Sequence, residues 1–329
     1  MRRAHFINTI TGFGLSKLRT LLYKKRKKIN QRNGAKDIST YDFSTLYTKL
    51  PHDDLIDNLM KIVDFAFNGG NRKKDGNRKY LTVNGKFSYW TRKKHGKKSL
   101  TRNDIKILTL HLIKETRFYI GNQLFLQIIG IPMGIDPAPF WANLHLYSYE
   151  CDFITALMTL DKGRARKFLQ ACRFIDDECN LNDGGEFGRS FKTIYPKELE
   201  LKCEHEGSHA TFLELDVTIV DKKFVYKLFD KRNDFPFFIV RMPDLTGNIP
   251  SHVFYGSVMS EFLRIARCTM LYEDFLPVAA KIFTRMVNQG GSADMILKQV
   301  KKCIDRHPSS FDFPKTSTEI TRDIQYFPN

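Results

Sequence analysis

Hydrophobic and polar positions alternate or recur at helical spacing through most of the chain. From Ile38 to Leu46 the pattern predicts a strand that runs into a turn. Pro51 precedes a histidine and two acidic residues, which predicts a helix start because acids favour the positive end of a helix. Leu55, Leu59 and Val63 then recur at helical spacing, so we expect them to face a core.

The middle of the chain mixes predicted helices with predicted strands. Residues 104–117 have a helical pattern, and 118–129 have the pattern of two strands joined at a Gly-Asn pair. Another helix is predicted after Pro139. The pattern from Cys172 to Leu181 predicts two strands joined by an Asp-Asp turn, and the pattern over 211–229 predicts two further strands.

Beyond Pro236 the patterns become mainly helical, at 256–272, 274–287 and 293–306. Strands mixed with helices, followed by helices alone, predict an α+β fold with a helical region at its C-terminal end. The predicted segments are a basic N-terminal segment, a mixed region and a helical region, at 1–36, 37–235 and 236–329.

Charge is the strongest compositional signal. The chain of 329 residues has a formal net charge of +17, which favours a polyanionic partner such as nucleic acid or an anionic membrane. The chain has no run of about 18 uncharged apolar residues, so no membrane span is predicted. Its N-terminus lacks the pattern of a secretory signal. Six scattered cysteines without a CxxC pair disfavour a zinc site. We therefore expect an intracellular protein, nuclear or cytoplasmic, without a membrane partner.

A basic insertion is predicted at about 70–100. From Arg72 to Lys98 there are eleven Lys or Arg residues and one acid, interrupted by aromatic residues such as Phe87, Tyr89 and Trp90. This pattern predicts a surface hairpin with basic ends. The aromatic rings could stack on bases or could anchor the hairpin to the core, and the sequence leaves both alternatives open.

Candidate chemistry begins with the adjacent carboxylates of Asp176 and Asp177, between apolar flanks. Clustered carboxylates repel unless a cation compensates them, and Mg²⁺ binds one or two carboxylates together with substrate phosphates. Asp42 is the best third acid, because a carboxylate in a strand is costly to bury unless it is paired or metal-bound. An edge-strand or capping role for Asp42 remains the alternative at this point.

Three segments resemble the ordered motifs of reverse transcriptases. Asp42, followed five positions later by Tyr47, resembles motif A, and the segment from Gly130 to Gly134 resembles motif B. Phe174-Ile175-Asp176-Asp177 resembles the aromatic-x-Asp-Asp motif C. The amino-acid sequences of motifs A and B are most similar to those of Penelope-like retroelements. Looser similarity to the later motifs of that family continues over residues 201–204, 212–216 and 262–268.

The resemblance implies a right-hand polymerase palm, a mostly antiparallel sheet backed by helices, with a helical thumb. It implies an RNA-directed DNA polymerase that uses Mg²⁺ or Mn²⁺, an RNA template, a DNA primer and deoxynucleoside triphosphates. Asp42, Asp176 and Asp177 would be catalytic, and the Phe43 carbonyl would join them around the metal. The implied nucleotide-binding residues are Tyr47, Pro132, Met133, Gly134 and Lys202, and the implied primer-binding residues are Phe212, Leu213 and Glu214.

The chain also departs from this family. Only 41 residues precede Asp42, where such enzymes carry a fingers region, and no GIY-YIG endonuclease pattern follows. We therefore expect a truncated or partial element. A catalytically inactive, nucleic-acid-binding remnant is the main alternative, and a metal-dependent nuclease that uses the same acids is a weaker one.

Overall fold

The computed structural model describes residues 8–9, 29, 31, 34–68, 79–85, 87–95, 98–237, 239 and 242–328. Within these ranges the chain divides into two compact units, whose main parts are Lys36–Gly207 and Ser208–Asn329. The first unit contains strands β1 (Asn8–Thr9), β2 (Ile38–Phe43), β3 (Tyr80–Asn84), β4 (Phe87–Thr91), β5 (Ser99–Leu100), β6 (Arg117–Ile120), β7 (Gln123–Leu126), β8 (Ala171–Phe174), β9 (Asp177–Leu181) and β10 (Leu201–Gly207). Its helices are α1 (His52–Phe67), α2 (Arg102–Lys114), α3 (Ala138–Leu160), α4 (Lys162–Lys167) and α5 (Glu186–Ile194).

A five-stranded sheet lies at the centre of the first unit, in the order β1-β8-β9-β2-β10. The β8–β9, β9–β2 and β2–β10 pairs are antiparallel, and β1 pairs with β8 in parallel. All residues of β2 are buried except Asp42, which is partly exposed. The predicted strand from Ile38 and the predicted strand-turn-strand from Cys172 are therefore confirmed.

Helices cover one face of this sheet and supply the core. Tyr41 and Phe43 of β2 pack on Phe187 and Phe191 of α5, with ring centroids 5.3 and 5.8 Å apart. Helix α3 contacts both α5 and α1. Helix α1 begins after Pro51 with acids in its first turn and buries Leu55 and Leu59, as the sequence predicts. Burying such side chains stabilises the fold by roughly 1.5–3 kcal/mol each.

Two smaller sheets lie between α1 and α3 in the chain. The three-stranded sheet β4-β3-β5 includes the hairpin predicted in the basic insertion, of which residues 70–78, 86, 96 and 97 lie outside the described ones. Trp90 packs edge-on against Phe67 of α1 at 4.8 Å, whereas Phe87 is 79% exposed. Trp90 therefore anchors the hairpin. The second small sheet is the predicted β6–β7 hairpin, and all eight of its residues are exposed.

The second unit combines a three-stranded sheet with helices. Strands β11 (His209–Phe212), β12 (Leu215–Val220) and β13 (Lys223–Leu228) form an antiparallel meander. Helices α6 (Ser251–Cys268), α7 (Tyr272–Asn288), α8 (Ala293–Arg306) and α9 (Ser317–Gln325) enclose a core rich in phenylalanine. The sequence predicts two strands over 211–229. The structure has three, because one turn at Leu213 and Glu214 and another at Asp221 and Lys222 divide the segment.

The described residues therefore form a mixed structure of antiparallel sheets and helices. The boundary between the compact units lies between Gly207 and Ser208, earlier than the predicted boundary between 235 and 236. The physical reason is that β13 contacts α6, so the meander belongs with the helices that follow it. Among the described helices, none is long and apolar enough to span a membrane.

A buried histidine gives this fold an expected pH dependence. His145 of α3 is fully buried beside Asn58 and Tyr149. Burial lowers the pKa of His145 from 6.5 to about 4, with Arg173 and Lys61 adding to the effect. The unfolded chain then binds a proton that the folded chain excludes, so stability present above pH 6.5 is lost as pH falls towards 4.

Because His145 is protonated mainly in the unfolded chain at pH 5, we expect it to lower the free energy of unfolding by about 2 kcal/mol at pH 5 relative to pH 8. Urea unfolding at both pH values measures it. In His145→Gln, which cannot titrate, the difference between the two pH values should shrink by that amount. An identical pH dependence in the variant and the wild type would contradict the assignment.

Candidate active site

The predicted acids meet where β2 ends beside the β8–β9 turn. Asp42 lies directly opposite Asp177 of β9 and directly opposite Lys202 of β10. Directly opposite residues of antiparallel strands project from the same face of the sheet, so these side chains share one face. The Phe43 N–H donates to the Asp176 carbonyl oxygen at 3.0 Å, which fixes the turn to the end of β2.

The turn itself has a strained backbone. Ile175 has a φ of 58°, in the left-handed region, where a β-branched residue is a genuine outlier. Such a conformation costs roughly 1–2 kcal/mol and persists only where surrounding contacts enforce it. One contact that enforces it is a hydrogen bond of 2.9 Å from Arg173 Nη1 to the Ile175 carbonyl oxygen. The turn is therefore held at two successive carbonyl groups, those of Ile175 and Asp176.

Electrostatics at this position disfavour an uncompensated carboxylate. Burial raises the pKa of Asp176 above its ordinary value, and the nearby Asp42 carboxylate raises it further. The backbone N–H of Asp176 and the Arg173 guanidinium oppose this rise. A divalent cation held by Asp42 and Asp176 would offset the repulsion that raises the pKa of Asp176.

The donor set fits Mg²⁺ or Mn²⁺ only in part. Asp42 and Asp176 supply two carboxylates, and Mg²⁺ commonly takes one or two together with phosphates and water. Within the described ranges, no group of three or more His, Cys, Asp or Glu side chains could hold a metal ion. A three-carboxylate centre is therefore not preassembled among these residues, and ligands from substrate would be needed to complete the coordination.

Tyr47 lies on the turn that follows β2 and approaches the acids. Burial raises the pKa of the Tyr47 hydroxyl above its ordinary value, and the Asp176 carboxylate adds to the rise. The Tyr47 carbonyl oxygen accepts a hydrogen bond of 3.0 Å from the Ile131 N–H. This contact joins the segment that resembles motif A to the segment that resembles motif B.

Gly130 is required at this junction. Its φ is 84°, and a Cβ atom there would lie 2.4 Å from the Tyr47 carbonyl oxygen. Its N–H donates to the Leu50 carbonyl at 2.7 Å, and its carbonyl lies 2.9 Å from Nε2 of the buried His52. The glycine that the sequence placed at the start of motif B therefore allows two backbones to touch.

A pocket of about 440 Å³ opens beside Tyr47. Met133 and Gly134 line it, together with Ile135 and Asp136 before α3 and with Ala138 and Pro139 at the start of that helix. Met133 is 72% exposed, and no atom lies within 4 Å of a Cβ built on Gly134. Pro132 is buried and is not among the lining residues. The structure thus gathers Tyr47, Met133 and Gly134 around open space.

The predicted primer-binding residues belong to the second unit. Phe212 is buried at the end of β11, and Leu213 has a φ of 57° in the turn before β12. Glu214 accepts a hydrogen bond of 3.3 Å from Arg264 Nη1 of α6. This turn is therefore fixed within its own unit by a side chain from a helix.

A buried polar network under the turn was missed by sequence reasoning. Arg173 Nε donates to Glu150 Oε1 at 2.6 Å, and Arg173 Nη1 donates to Asn143 Oδ1 at 2.9 Å. The Tyr195 hydroxyl donates to the same Glu150 oxygen at 2.9 Å. We call these four residues the Arg173 network. One available signal was an arginine inside a short strand whose neighbours Ala171 and Cys172 are apolar.

Comparisons with known proteins give a limited structural likeness. No family model matches the chain, and no curated protein matches it. The chain is similar to the solved structure of telomerase from Candida albicans in complex with a TWJ fragment of telomeric RNA, with 13% identity, a TM-score of 0.48 and coverage of 98% of this chain and 55% of that one. It is similar to apo telomerase from Candida tropicalis, with 12% identity, a TM-score of 0.48 and coverage of 96% and 50%.

The chain thus spans about half the length of those structures. TM-scores below 0.5 at such low identity carry no conclusion about fold or function. Any functional assignment therefore depends on the residues and contacts of this chain.

Proposed function

We propose that this chain carries an RNA-directed DNA polymerase domain of the reverse transcriptase type, from a Penelope-like retroelement. The observation that carries the proposal is the junction of three sequence motifs at one place. Asp42 is the second-last residue of a central strand, the Phe43 N–H holds the Asp176 turn, and the Ile131 N–H holds Tyr47. The first unit would be the palm, and the helices of the second unit would be the thumb.

Asp42 and Asp176 would hold the divalent cations, with the Phe43 carbonyl and Asp177 next to them. Bound Mg²⁺ would make the primer 3′-hydroxyl more acidic and neutralise the leaving pyrophosphate. Lys202 is exposed and directly opposite Asp42, which suits a cation that meets phosphate charge. Phe212, Leu213 and Glu214 would hold the primer end on a turn that Arg264 fixes.

The pocket between Tyr47 and Gly134 is the proposed site of the incoming nucleotide. The half-buried Tyr47 ring would lie under the sugar and would clash with a 2′-hydroxyl, thereby selecting deoxynucleotides. The bare backbone of Gly134 leaves room for the nucleotide, since a Cβ at that position points into open space.

Tyr47→Ala is expected to relax sugar selection. Removing the ring opens space for the 2′-hydroxyl, so we expect ribonucleotide incorporation relative to deoxynucleotide incorporation to rise by roughly 10-fold or more, about 1.4 kcal/mol of discrimination. Single-nucleotide extension with each nucleotide class measures it. Tyr47→Phe, which keeps the ring, is the control and should retain selection. Equal discrimination in Tyr47→Ala and the wild type would exclude the gate.

A nucleic-acid-binding remnant without catalysis is the second candidate. The observation that favours it is the lack of a three-ligand metal group in the part of the chain that the structure describes. The net charge of +17 suits phosphate binding in either case. With 6–10 phosphate contacts, affinity should fall by roughly 10³–10⁵-fold between 50 and 200 mM salt.

The experiment that separates these functions is extension of a DNA primer on an RNA template. The full chain is incubated with Mg²⁺ or Mn²⁺, with and without deoxynucleoside triphosphates. Extension that requires both metal and nucleotides supports the polymerase. Salt-sensitive binding without extension supports the remnant, and metal-dependent cleavage without nucleotides supports a nuclease.

A further inference from the structure

The Arg173 network connects the three motifs through the protein interior. Asn143 and Glu150 lie on α3, which follows motif B, and Arg173 lies on β8, which precedes the Asp-Asp turn. Tyr195 donates to Glu150 while its ring packs edge-on against Phe43 at 5.0 Å. One set of buried side chains therefore contacts the end of β2, helix α3 and the turn that carries Asp176.

Arg173 is placed to act on the backbone of the turn. Its side chain is fully buried, and Glu150 and Asn143 hold two of its nitrogens. The nitrogen that meets Asn143 also donates to the Ile175 carbonyl at 2.9 Å. Ile175 is the residue with the left-handed φ, so this hydrogen bond acts on the strained peptide immediately before Asp176.

The choice of arginine is informative because buried ion pairs often contribute little net stability. Replacing such a pair by apolar residues of similar volume is frequently neutral or stabilising. A planar guanidinium has five donors in a fixed geometry, whereas a lysine ammonium is a point charge on a flexible stem. Three acceptors, two from Glu150 and Asn143 on α3 and one from Ile175 in the turn, use that geometry.

We propose that Arg173 is a positioning residue that holds the Asp176 turn in its bent conformation by donating to the Ile175 carbonyl. Glu150 and Asn143 aim the guanidinium, and the Phe43 N–H secures the other side of the turn at the Asp176 carbonyl. The consequence is a fixed separation between the Asp42 and Asp176 carboxylates. This last step rests on the proposed function, while the positioning of the turn does not.

Amide hydrogen exchange at Phe43 in the metal-free full chain tests the positioning directly. This amide is protected by its hydrogen bond to Asp176, so it reports whether the turn stays against β2. The variants are Arg173→Lys, which keeps the charge, and the double variant Arg173→Met with Glu150→Gln, which removes both charges together. Glu186→Gln is the control, because Glu186 is a buried carboxylate bound by Arg164 and Lys167 on α4.

We expect protection of the Phe43 amide to fall at least 10-fold in Arg173→Lys and in the double variant. The thermal midpoint of the double variant should fall less than that of a variant that lacks Arg173 alone, because Glu150 is not left charged and buried beside an apolar side chain. Glu186→Gln should lose thermal stability and keep Phe43 protection relative to the neighbouring amides of β2. A purely structural role predicts instead that protection follows the thermal midpoint in every variant.

Wild-type protection of the Phe43 amide in the double variant would overturn the proposal. A double variant that fails to fold moves the decision to Arg173→Lys, where unchanged protection would have the same meaning. Exchange is measured without metal or substrate. A wild-type chain that does not extend primers would therefore contradict the proposed polymerase function and would leave the positioning proposal unaffected. If the wild type is active, both Arg173 variants should lose kcat and require higher Mn²⁺ concentrations, with little change in template KM.

Discussion

Asp176→Asn is expected to abolish primer extension while leaving the protein folded. Asparagine has nearly the same shape as aspartate, so the turn and its hydrogen bonds to Phe43 and Arg173 can persist. It removes the charge that a divalent cation needs. A loss of about 4 kcal/mol of transition-state stabilisation corresponds to roughly a 10³-fold lower rate, and we expect at least that loss.

The same substitution should not lower the metal-free stability. Burial and the Asp42 carboxylate raise the pKa of Asp176, so its ionised form opposes folding. Without metal, the thermal midpoint of Asp176→Asn should therefore equal or exceed that of the wild type. Added Mg²⁺ or Mn²⁺ should raise the midpoint of the wild type more than that of the variant, since a ligand that binds only the folded state stabilises it.

Asp53→Asn provides a matched control within the other Asp-Asp pair of the chain. Asp53 is in the first turn of α1, where it pairs with Lys114 on the surface. Its loss should leave extension within about twofold of the wild type, because surface ion pairs contribute little. If Asp53→Asn and Asp176→Asn impair extension equally, the loss is not specific to the proposed site.

Gly130→Ala is expected to cause the largest loss of stability among single-methyl additions in the first unit. The added Cβ would meet the Tyr47 carbonyl oxygen at 2.4 Å. Gly130 cannot move away without breaking its contacts to Leu50 and His52, and the Tyr47 carbonyl is held by the Ile131 N–H. Left-handed strain of about 1–2 kcal/mol and overpacking of about 1–3 kcal/mol together predict a loss of roughly 2–5 kcal/mol. Urea unfolding measures it.

Gly121→Ala separates these two causes. Gly121 in the β6–β7 turn also has a positive φ, 58°, but a Cβ there would have nothing within 4 Å. It should lose only the strain component, about 1–2 kcal/mol or less. A Gly130→Ala variant as stable as Gly121→Ala would show that the close approach to Tyr47 is not present in solution.

Local patterns explain which parts of the structure could be predicted from the sequence. The strand from Ile38, the helix after Pro51 and the turn at Asp176 depend on alternation, helix-start residues and turn residues within a few positions. The predicted β6–β7 hairpin depends on Gly121 in the same way. These elements place Asp42 and Asp176 at strand ends, which is why the acids could be proposed as neighbours.

The buried network and the unit boundary depend on contacts that are distant in the chain. Arg173 is 23 residues from Glu150, and Tyr195 is 45 residues from it. A charged residue in a strand has the same sequence pattern whether it is exposed or paired in the core, so Arg173 could not be assigned. Similarly, the alternation in β11–β13 predicts strands without indicating that they pack with the later helices.

The most direct test of the central claim is single-nucleotide extension of a DNA primer on an RNA template, measured for the wild type, Asp42→Asn and Asp176→Asn together. All three proteins should bind the primer–template. We predict that only the wild type adds deoxynucleotides, and only with Mg²⁺ or Mn²⁺. Wild-type binding without extension under either cation, or extension that survives both substitutions, would contradict the proposed polymerase site.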